Sequence, residues 1–483
     1  MRRRISALLP PLFAVLVGTL SGPVTAQESL PTPVERALTE ARIPPASVAI
    51  VVQGVRATQP LLSVNAEVPM QPASVMKLVT SFAALESLGP AYRWKTEAYA
   101  DGELRRGVLH GNLALKGYGD PDLTLEQFWL MLRALRARGL RDVRGDLVLD
   151  RSYFVPQHHD PARFDDEPLR PYNVGPDALL LNFKSVRFDF LPEPERRAVR
   201  VVAEPHPAGL RIVNALRLVH GVCGDWRARL GADFGDAGKQ GGPVRALFTG
   251  AFAARCGEKS WNVALFSHAR YVGGVFSELW RELGGSWQGT LREGTVPDGA
   301  RLLYTHESPP LADVVRDMNK FSNNVMARQI YLTLGAESAG PPASPETASA
   351  AVRAALAKAG LEFPELAIDN GSGLSRRARI SARSLAQLLL AAYRSPDMAE
   401  LVSSLPIVAV DGTMRKRMRG EPAAGFAHIK TGTLDGVRSV AGYVLDRNGE
   451  RHVVVMLVND PNAPAAEPAI EALLNWVFET GAP

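Results

Sequence analysis

Apolar and polar positions change their period several times along this chain. Residues 46–52 form a nearly continuous apolar run rich in β-branched side chains, which predicts a buried strand, and 61–64 predicts a second. From Pro72 the period lengthens. Val75, Leu78, Val79 and Phe82 fall on one helical face, and Gly89-Pro90 ends the segment. A helix carrying Ser74 to Leu88 is therefore expected, docked on a core. The stretch from about Tyr92 to Gly299 differs, with short β-like runs at 111–115, 145–150 and 186–190 among many Gly and Pro, and one helix at 123–138. Helical spacing returns at 311–334, 348–359 and 382–393. Two strands, 426–433 and 437–445, flank the turn Leu434-Asp435-Gly436, the composition of a β-hairpin. A further strand at 453–458 and a helix at 468–478 close the chain; that helix has one apolar face and few cations, as a core-facing helix would.

This order predicts a discontinuous organisation. Residues 27–91 and 300–483 form one mixed α and β unit, and 92–299 form an inserted β-rich module, with a nested subdomain at about 160–265. A length of 483 residues exceeds what one core usually holds, so more than one domain is expected anyway.

Residues 1–26 alter the reading of charge. Arg2 to Arg4, an apolar stretch broken by Pro10 and Pro11, and Val24-Thr25-Ala26 make the three regions of a secretory signal peptide. An uncut N-terminal anchor is the alternative, but the apolar run is short and interrupted for a membrane span. Cleavage removes three arginines and no acid, so the formal net charge falls from +5 to +2. A nearly balanced mature chain offers no argument for a nucleic-acid partner. Export places the protein in an oxidising compartment, where Cys223 and Cys256 could pair; the sequence leaves a disulfide and two free thiols equally open.

Three short motifs carry candidate chemistry. Ser74-Val75-Met76-Lys77 puts a hydroxyl and an amine three residues apart, on one side of a helix. A serine hydroxyl needs a base to become a nucleophile, and a lysine can serve if burial or a second cation lowers its pKa. Ser322-Asn323-Asn324 offers a second hydroxyl and an amide that can face one cleft from a turn between helices; polar caps have the same composition. Lys430-Thr431-Gly432-Thr433 ends a strand before the hairpin turn. A strand edge there can pair with an extended peptide, Gly432 would permit its close approach, and Lys430 supplies charge for a terminal carboxylate. Each motif alone is common. His158-His159 invites a metal reading but lacks a matching ligand set, and His428, two residues before Lys430 on the same strand face, fits ordinary packing better than catalysis. No metal or cofactor is expected.

In this order, Ser-x-x-Lys, Ser-x-Asn and Lys-Thr-Gly resemble the active-site set of penicillin-binding proteins and serine β-lactamases. The spacing narrows the resemblance: 248 residues separate Ser74 from Ser322, and 108 separate Ser322 from Lys430. The long first gap looks like the low-molecular-mass class C penicillin-binding proteins, the D-alanyl-D-alanine carboxypeptidase/endopeptidase family of serine peptidases. The segments 117–121, 369–375, 404–406 and 411–413 are similar to the same family, with Asn370 where it more often has Asp. The resemblance implies an α/β (α+β) transpeptidase fold of the penicillin-binding protein and serine β-lactamase type, an antiparallel sheet flanked by helices. It implies that Ser74 attacks the penultimate D-Ala carbonyl and Lys77 takes its proton. Ser322 would pass a proton to the leaving amine, Asn324 would orient the peptide, and Lys430, Thr431, Gly432 and Thr433 would hold the substrate. The N–H groups of Ser74 and Thr433 would form the oxyanion hole. The implied partners are cell-wall peptides ending in D-Ala-D-Ala or carrying D-Ala cross-links, and β-lactam antibiotics. The implied location is the periplasm or beyond, with no span in the mature chain. A β-lactamase or esterase on this fold, and a silent cell-wall binding protein, are the competing readings.

Overall fold

The computed structural model describes residues 29–156, 159–235, 237 and 242–480. The expected signal peptide and His158 lie outside the described residues.

The C-terminal hairpin and the N-terminal strand meet in one antiparallel sheet. Its order is Ala427–Leu434, Val437–Leu445, Arg451–Asn459, Val48–Gly54, Leu62–Val64. Val51 lies opposite Val455, and Lys430 opposite Ala441. Successive side chains of a strand point to opposite faces. Val51, Val453 and Val455 enter one core, whereas Ile50, Val52, Val454 and Met456 enter another. Both faces are buried, which is why these strands read as continuous apolar runs rather than alternating ones. Helices Thr32–Glu40 and Glu467–Thr480 cover one face; Lys77–Leu88, Asn324–Ala339 and Ala382–Arg394 build the core on the other. The helix at 32–40 was not among the expected elements, although Pro33 opens it and Val34, Ala37, Leu38 and Ala41 keep helical spacing. Gly436 closes the hairpin at φ +71°, a conformation that side-chain-bearing residues adopt at a cost.

Two expected helices are interrupted where they carry chemistry. The segment from Pro72 is a 3₁₀ turn, Ala73–Met76, followed by the α-helix Lys77–Leu88. The 311–334 stretch is two helices, Leu311–Phe321 and Asn324–Ala339. Ser322 between them is left-handed, and the Asn323 side chain caps the second helix by accepting from the N–H of Val325 and Met326. Helical periodicity runs on in phase across this break, so the pattern alone could not locate it.

Residues 95–307 build three further sheets around their own apolar cluster. Strand Arg301–Glu307, which the sequence reading placed after the insertion, pairs with Lys95–Arg105 in a seven-stranded sheet. Two three-stranded sheets lie between 186 and 263. The helix His268–Glu282 escaped sequence analysis because Gly273-Gly274 interrupts its pattern. A Cβ on Gly273 would lie 2.7 Å from the Leu291 side chain, and one on Gly274 would lie 2.9 Å from the Ala208 carbonyl oxygen. These glycines serve packing rather than a turn. Among the described residues no helix is long and apolar enough to cross a membrane.

Cys223 and Cys256 form a disulfide that closes a loop across a sequence separation of 33. Loop-closure entropy for that length corresponds to about 4 kcal/mol. Cys223→Ser with Cys256→Ser is therefore expected to lower stability by about that amount in denaturant titration, with penicillin labelling at 25 °C unchanged. An unchanged unfolding midpoint would show that the module does not depend on the cross-link.

Candidate active site

The Ser74 turn is held from three sides. Gln71 accepts from Ala73 N–H at 2.9 Å, donates to Ser375 O, and takes a bond from its own N–H to Asn459 Oδ1 at 2.8 Å. Ala73 is held at φ +48°, a conformation rare for a residue with a side chain. Ser439 Oγ donates to Pro72 O at 2.6 Å. A 3₁₀ turn nearly eclipses positions i and i+3, so Ser74 sits above Lys77, with Ser74 Oγ 3.0 Å from Lys77 Nζ.

Lys77 is fully buried at the head of its helix. Its Nζ also donates to Asn324 Oδ1 and Ser372 O, each at 2.7 Å. Burial, with Lys430 and Arg328 adding repulsion, holds its ammonium well below the usual lysine range. Among the described residues no carboxylate is bonded to it; its acceptors are the uncharged oxygens of Ser74, Asn324 and Ser372.

Lys430 is also fully buried; its Nζ donates to Ser322 Oγ at 2.8 Å and Thr431 O at 2.9 Å. Burial pushes it down to about 7. Ser322 reaches Lys430 because the left-handed residue turns the chain between the two helices. A buried lattice anchors that turn: Lys320 Nζ donates to Leu405 O and Asp411 Oδ2, each at 2.7 Å, and Asn319 Nδ2 donates to Ser81 Oγ and Ser404 Oγ. Asn324 donates to Tyr172 O at 3.3 Å, which brings a segment of the middle module to the site.

The structure therefore brings Ser74, Lys77 and Asn324 into one hydrogen-bonded group, and Ser322 and Lys430 into another. Thr431 Oγ1 lies 2.9 Å from Thr413 Oγ1, while Thr433 is exposed on the same strand. Gly432 departs from expectation. The space its side chain would occupy faces the protein itself: a Cβ there would come 2.2 Å from Ser439 Oγ, 2.6 Å from Pro72 O and 3.0 Å from Ser74 N. Its glycine lets the strand seat against the Ser74 turn rather than leaving room for a ligand. Gly432→Ala is thus expected to displace the strand by about an ångström and slow penicillin acylation about a hundredfold. Stopped-flow labelling measures this, and a rate equal to wild type would show that the strand yields without consequence.

Sequence reasoning assigned no role to several residues that complete the group. Ser372 contributes a main-chain carbonyl, which no side-chain motif reveals. Its loop is folded by Asn370, whose Oδ1 accepts from Ser372 N–H and Oγ, and whose Nδ2 donates to Leu374 O at 2.9 Å. A carboxylate could accept both Ser372 bonds but could not donate the third, so the amide suits this loop. Thr80 Oγ1 ties the same loop down through Gly371 O, and Gly373 packs its bare Cα against Ala73 O. Ser372, Ser404, Asp411 and Thr413 lie in segments 369–375, 404–406 and 411–413, which the sequence singled out without giving them a function. His428 Nδ1 contacts Val402 O at 3.2 Å, and His159 Nε2 contacts Asn173 O at 2.6 Å. Among the described residues no cluster of three or more His, Cys, Asp or Glu side chains is placed to hold a metal ion.

Comparison with known proteins agrees in extent with this architecture. The model of the D-Ala-D-Ala carboxypeptidase 3 (S13) family matches residues 30–479. A D-alanyl-D-alanine carboxypeptidase of Actinomadura is 31% identical over 417 residues, covering 83% of this chain and 75% of that protein. The D-alanyl-D-alanine carboxypeptidase DacB of Haemophilus influenzae is 25% identical over 415 residues, 86% of this chain and 85% of its own. The crystal structure of penicillin binding protein 4 (dacB) from Haemophilus influenzae shares the fold at a TM-score of 0.75 and 24% identity, covering 92% of this chain and 99% of that one. With a family match across almost the whole described chain, the protein belongs to the D-Ala-D-Ala carboxypeptidase 3 (S13) family.

Proposed function

We propose that this protein is an exported serine hydrolase that removes the terminal D-Ala from cell-wall peptides ending in D-Ala-D-Ala, through an acyl-enzyme on Ser74. The observation that carries the proposal is the 3.0 Å contact between Ser74 Oγ and the buried, carboxylate-free Lys77 Nζ. Burial weakens the hold of such an amine on its proton, so its free-base form can take the hydroxyl proton as Oγ attacks the penultimate carbonyl. Ser74 N–H and Thr433 N–H are assigned to the developing oxyanion, where fixed donors are worth most. Ser322, polarised by Lys430 at 2.8 Å, then delivers a proton to the departing D-Ala nitrogen and takes in its place the one that Lys77 removed from Ser74, which returns Lys77 to its free-base form. Lys430 and Thr431 hold the substrate carboxylate, and Asn324 orients the peptide amide. Deacylation by water returns Ser74 and releases the shortened peptide.

The leader at 1–26 supports export to the periplasm or beyond. A β-lactam presents a comparable strained amide to the same serine, so covalent penicillin binding belongs to this reading. Incubation with a D-Ala-D-Ala-ended pentapeptide should release one equivalent of free D-Ala per peptide, and penicillin should leave a lasting adduct visible by intact mass. Rapid penicillin turnover without an adduct would replace this reading with a β-lactamase. Neither adduct nor D-Ala release would leave a silent binding protein.

A further inference from the structure

A second cavity, of about 520 Å³, lies away from Ser74, between strand and helix ends of the middle module. Leu149, Phe154, Val155, Pro156, Phe266 and Leu332 provide its apolar wall. Its polar residues are Arg151, Asp177, Glu293, His159, His268, Ser267, Ser152, Thr295 and Lys184. Most of the charge is already matched. Arg151 pairs with both oxygens of Asp177 and reaches Glu293, and Asp177 also accepts from Leu179 N–H at 2.9 Å. His268, pushed down to about 3 by burial, is a neutral imidazole at the first position of helix His268–Glu282, whose N-terminal end faces this space.

Lys184 is the exception. It lines the cavity, yet among the described residues its Nζ makes no hydrogen bond and no ion pair; the carboxylate that attracts it, Asp177, is already bound by Arg151. Its backbone is unusual as well. Asn182, Phe183 and Lys184 all have positive φ, at +44°, +54° and +52°, and none is glycine. Three such residues in succession cost several kcal/mol and persist only where their surroundings impose them. Here Asn182 N–H donates to Leu123 O at 2.8 Å, Asn182 Oδ1 accepts from Leu125 N–H, and Tyr271 OH donates to Ser185 O at 2.6 Å. The fold thus maintains a strained turn that projects a cation without a hydrogen-bond partner into the cavity. Burying a cation whose N–H donors are unsatisfied is unfavourable, and a ligand anion in contact with it would relieve that cost.

We infer that this cavity is a binding site for a small carboxylate with an apolar body, the carboxylate resting on Lys184 and His268, and the body against Phe154, Val155, Phe266 and Leu332. Either a free carboxylic acid or the C-terminus of a short peptide presents that chemistry. The site shares His159 and Pro161 with a neighbouring cavity of about 590 Å³, which runs to Asn370 and Leu374 beside the Ser74 turn. It is distinct from the catalytic group, so the inference stands or falls independently of the proposed reaction.

The test is calorimetric titration of the full-length mature protein carrying Ser74→Ala, which cannot turn over ligand, with hexanoate and with N-acetyl-D-alanine. At least one should bind saturably at one site. Lys184→Met should weaken that binding about tenfold or more, as expected for loss of a charged hydrogen-bond partner, while Lys184→Arg retains most of it. Binding of hexanoate identifies a free acid as sufficient; binding of N-acetyl-D-alanine alone identifies a peptide terminus. No saturable binding of either, or equal affinity in Lys184→Met, would overturn the inference. A readout that needs no Lys184 variant is peptide mass mapping after mild acetic anhydride treatment. The bound carboxylate should protect Lys184 from acetylation, and unprotected acetylation at saturating ligand would count against the site.

Discussion

Ser74→Ala is expected to abolish penicillin adduct formation and to lower D-Ala release about a millionfold, the scale found when an activated serine nucleophile is deleted. That factor corresponds to about 8 kcal/mol of transition-state stabilisation. The size of the effect follows from the site's construction. Lys77, Ser322 and Lys430 all act on the oxygen of Ser74 or on what is bonded to it, so without that oxygen they have nothing to act on. Folding should not suffer, because among the described residues the hydroxyl's side-chain partner is Lys77, which keeps Asn324 Oδ1 and Ser372 O. Intact mass after incubation with penicillin gives the answer directly. A full adduct on Ser74→Ala would place the nucleophile elsewhere and remove the central assignment.

Lys77→Met should reduce acylation about a thousandfold or more while leaving Ser74 present, the upper range for loss of a positioned base. The pH profile distinguishes a base from a structural prop. For kcat/KM the acidic limb belongs to Lys77: as pH rises through its lowered pKa, the ammonium loses its proton and becomes able to accept one from Ser74. The alkaline limb belongs to Lys430, pushed down to about 7 in the free enzyme, because above that value it loses the charge assigned to the substrate carboxylate. Lys430→Arg keeps a cation at all accessible pH. It should therefore remove the alkaline limb and spare the acidic one, at whatever overall rate its larger group permits. Normal acylation by Lys77→Met, or an acidic limb that persists in it, would move the base to another group.

Each of these effects depends on contacts that vary in how far the sequence reveals them. The Ser74 to Lys77 spacing was legible because three residues on one helical side is a local rule, and the structure keeps that proximity in a 3₁₀ turn. The hairpin at Asp435-Gly436 was legible for the same reason: its turn chemistry is contained in two residues. The left-handed Ser322 was not, because the apolar period runs unbroken through 311–334 and the cap that ends one helix is supplied by Asn323 to the next. Helix His268–Glu282 was hidden by two glycines whose purpose is contact with Leu291 and Ala208, residues far away in sequence.

The sequence by itself determined the chemistry available: the identity and order of Ser74, Lys77, Ser322, Asn324 and Lys430, the buried character of the strands, and the large segment between the first two motifs. Those properties are encoded in residue type and near-neighbour spacing. Only the tertiary structure decided what the residues experience. It buried Lys77 and Lys430 with no carboxylate bonded to either, and so lowered both. It brought the Ser372 carbonyl to Lys77 across a separation of 295 residues, and turned Gly432 from an expected substrate contact into the seat of the Ser74 turn. It also left Lys184, among the described residues, without a hydrogen bond beside an apolar wall. Desolvation and close approach depend on every atom packed around a group, and those atoms come from segments that no local pattern connects.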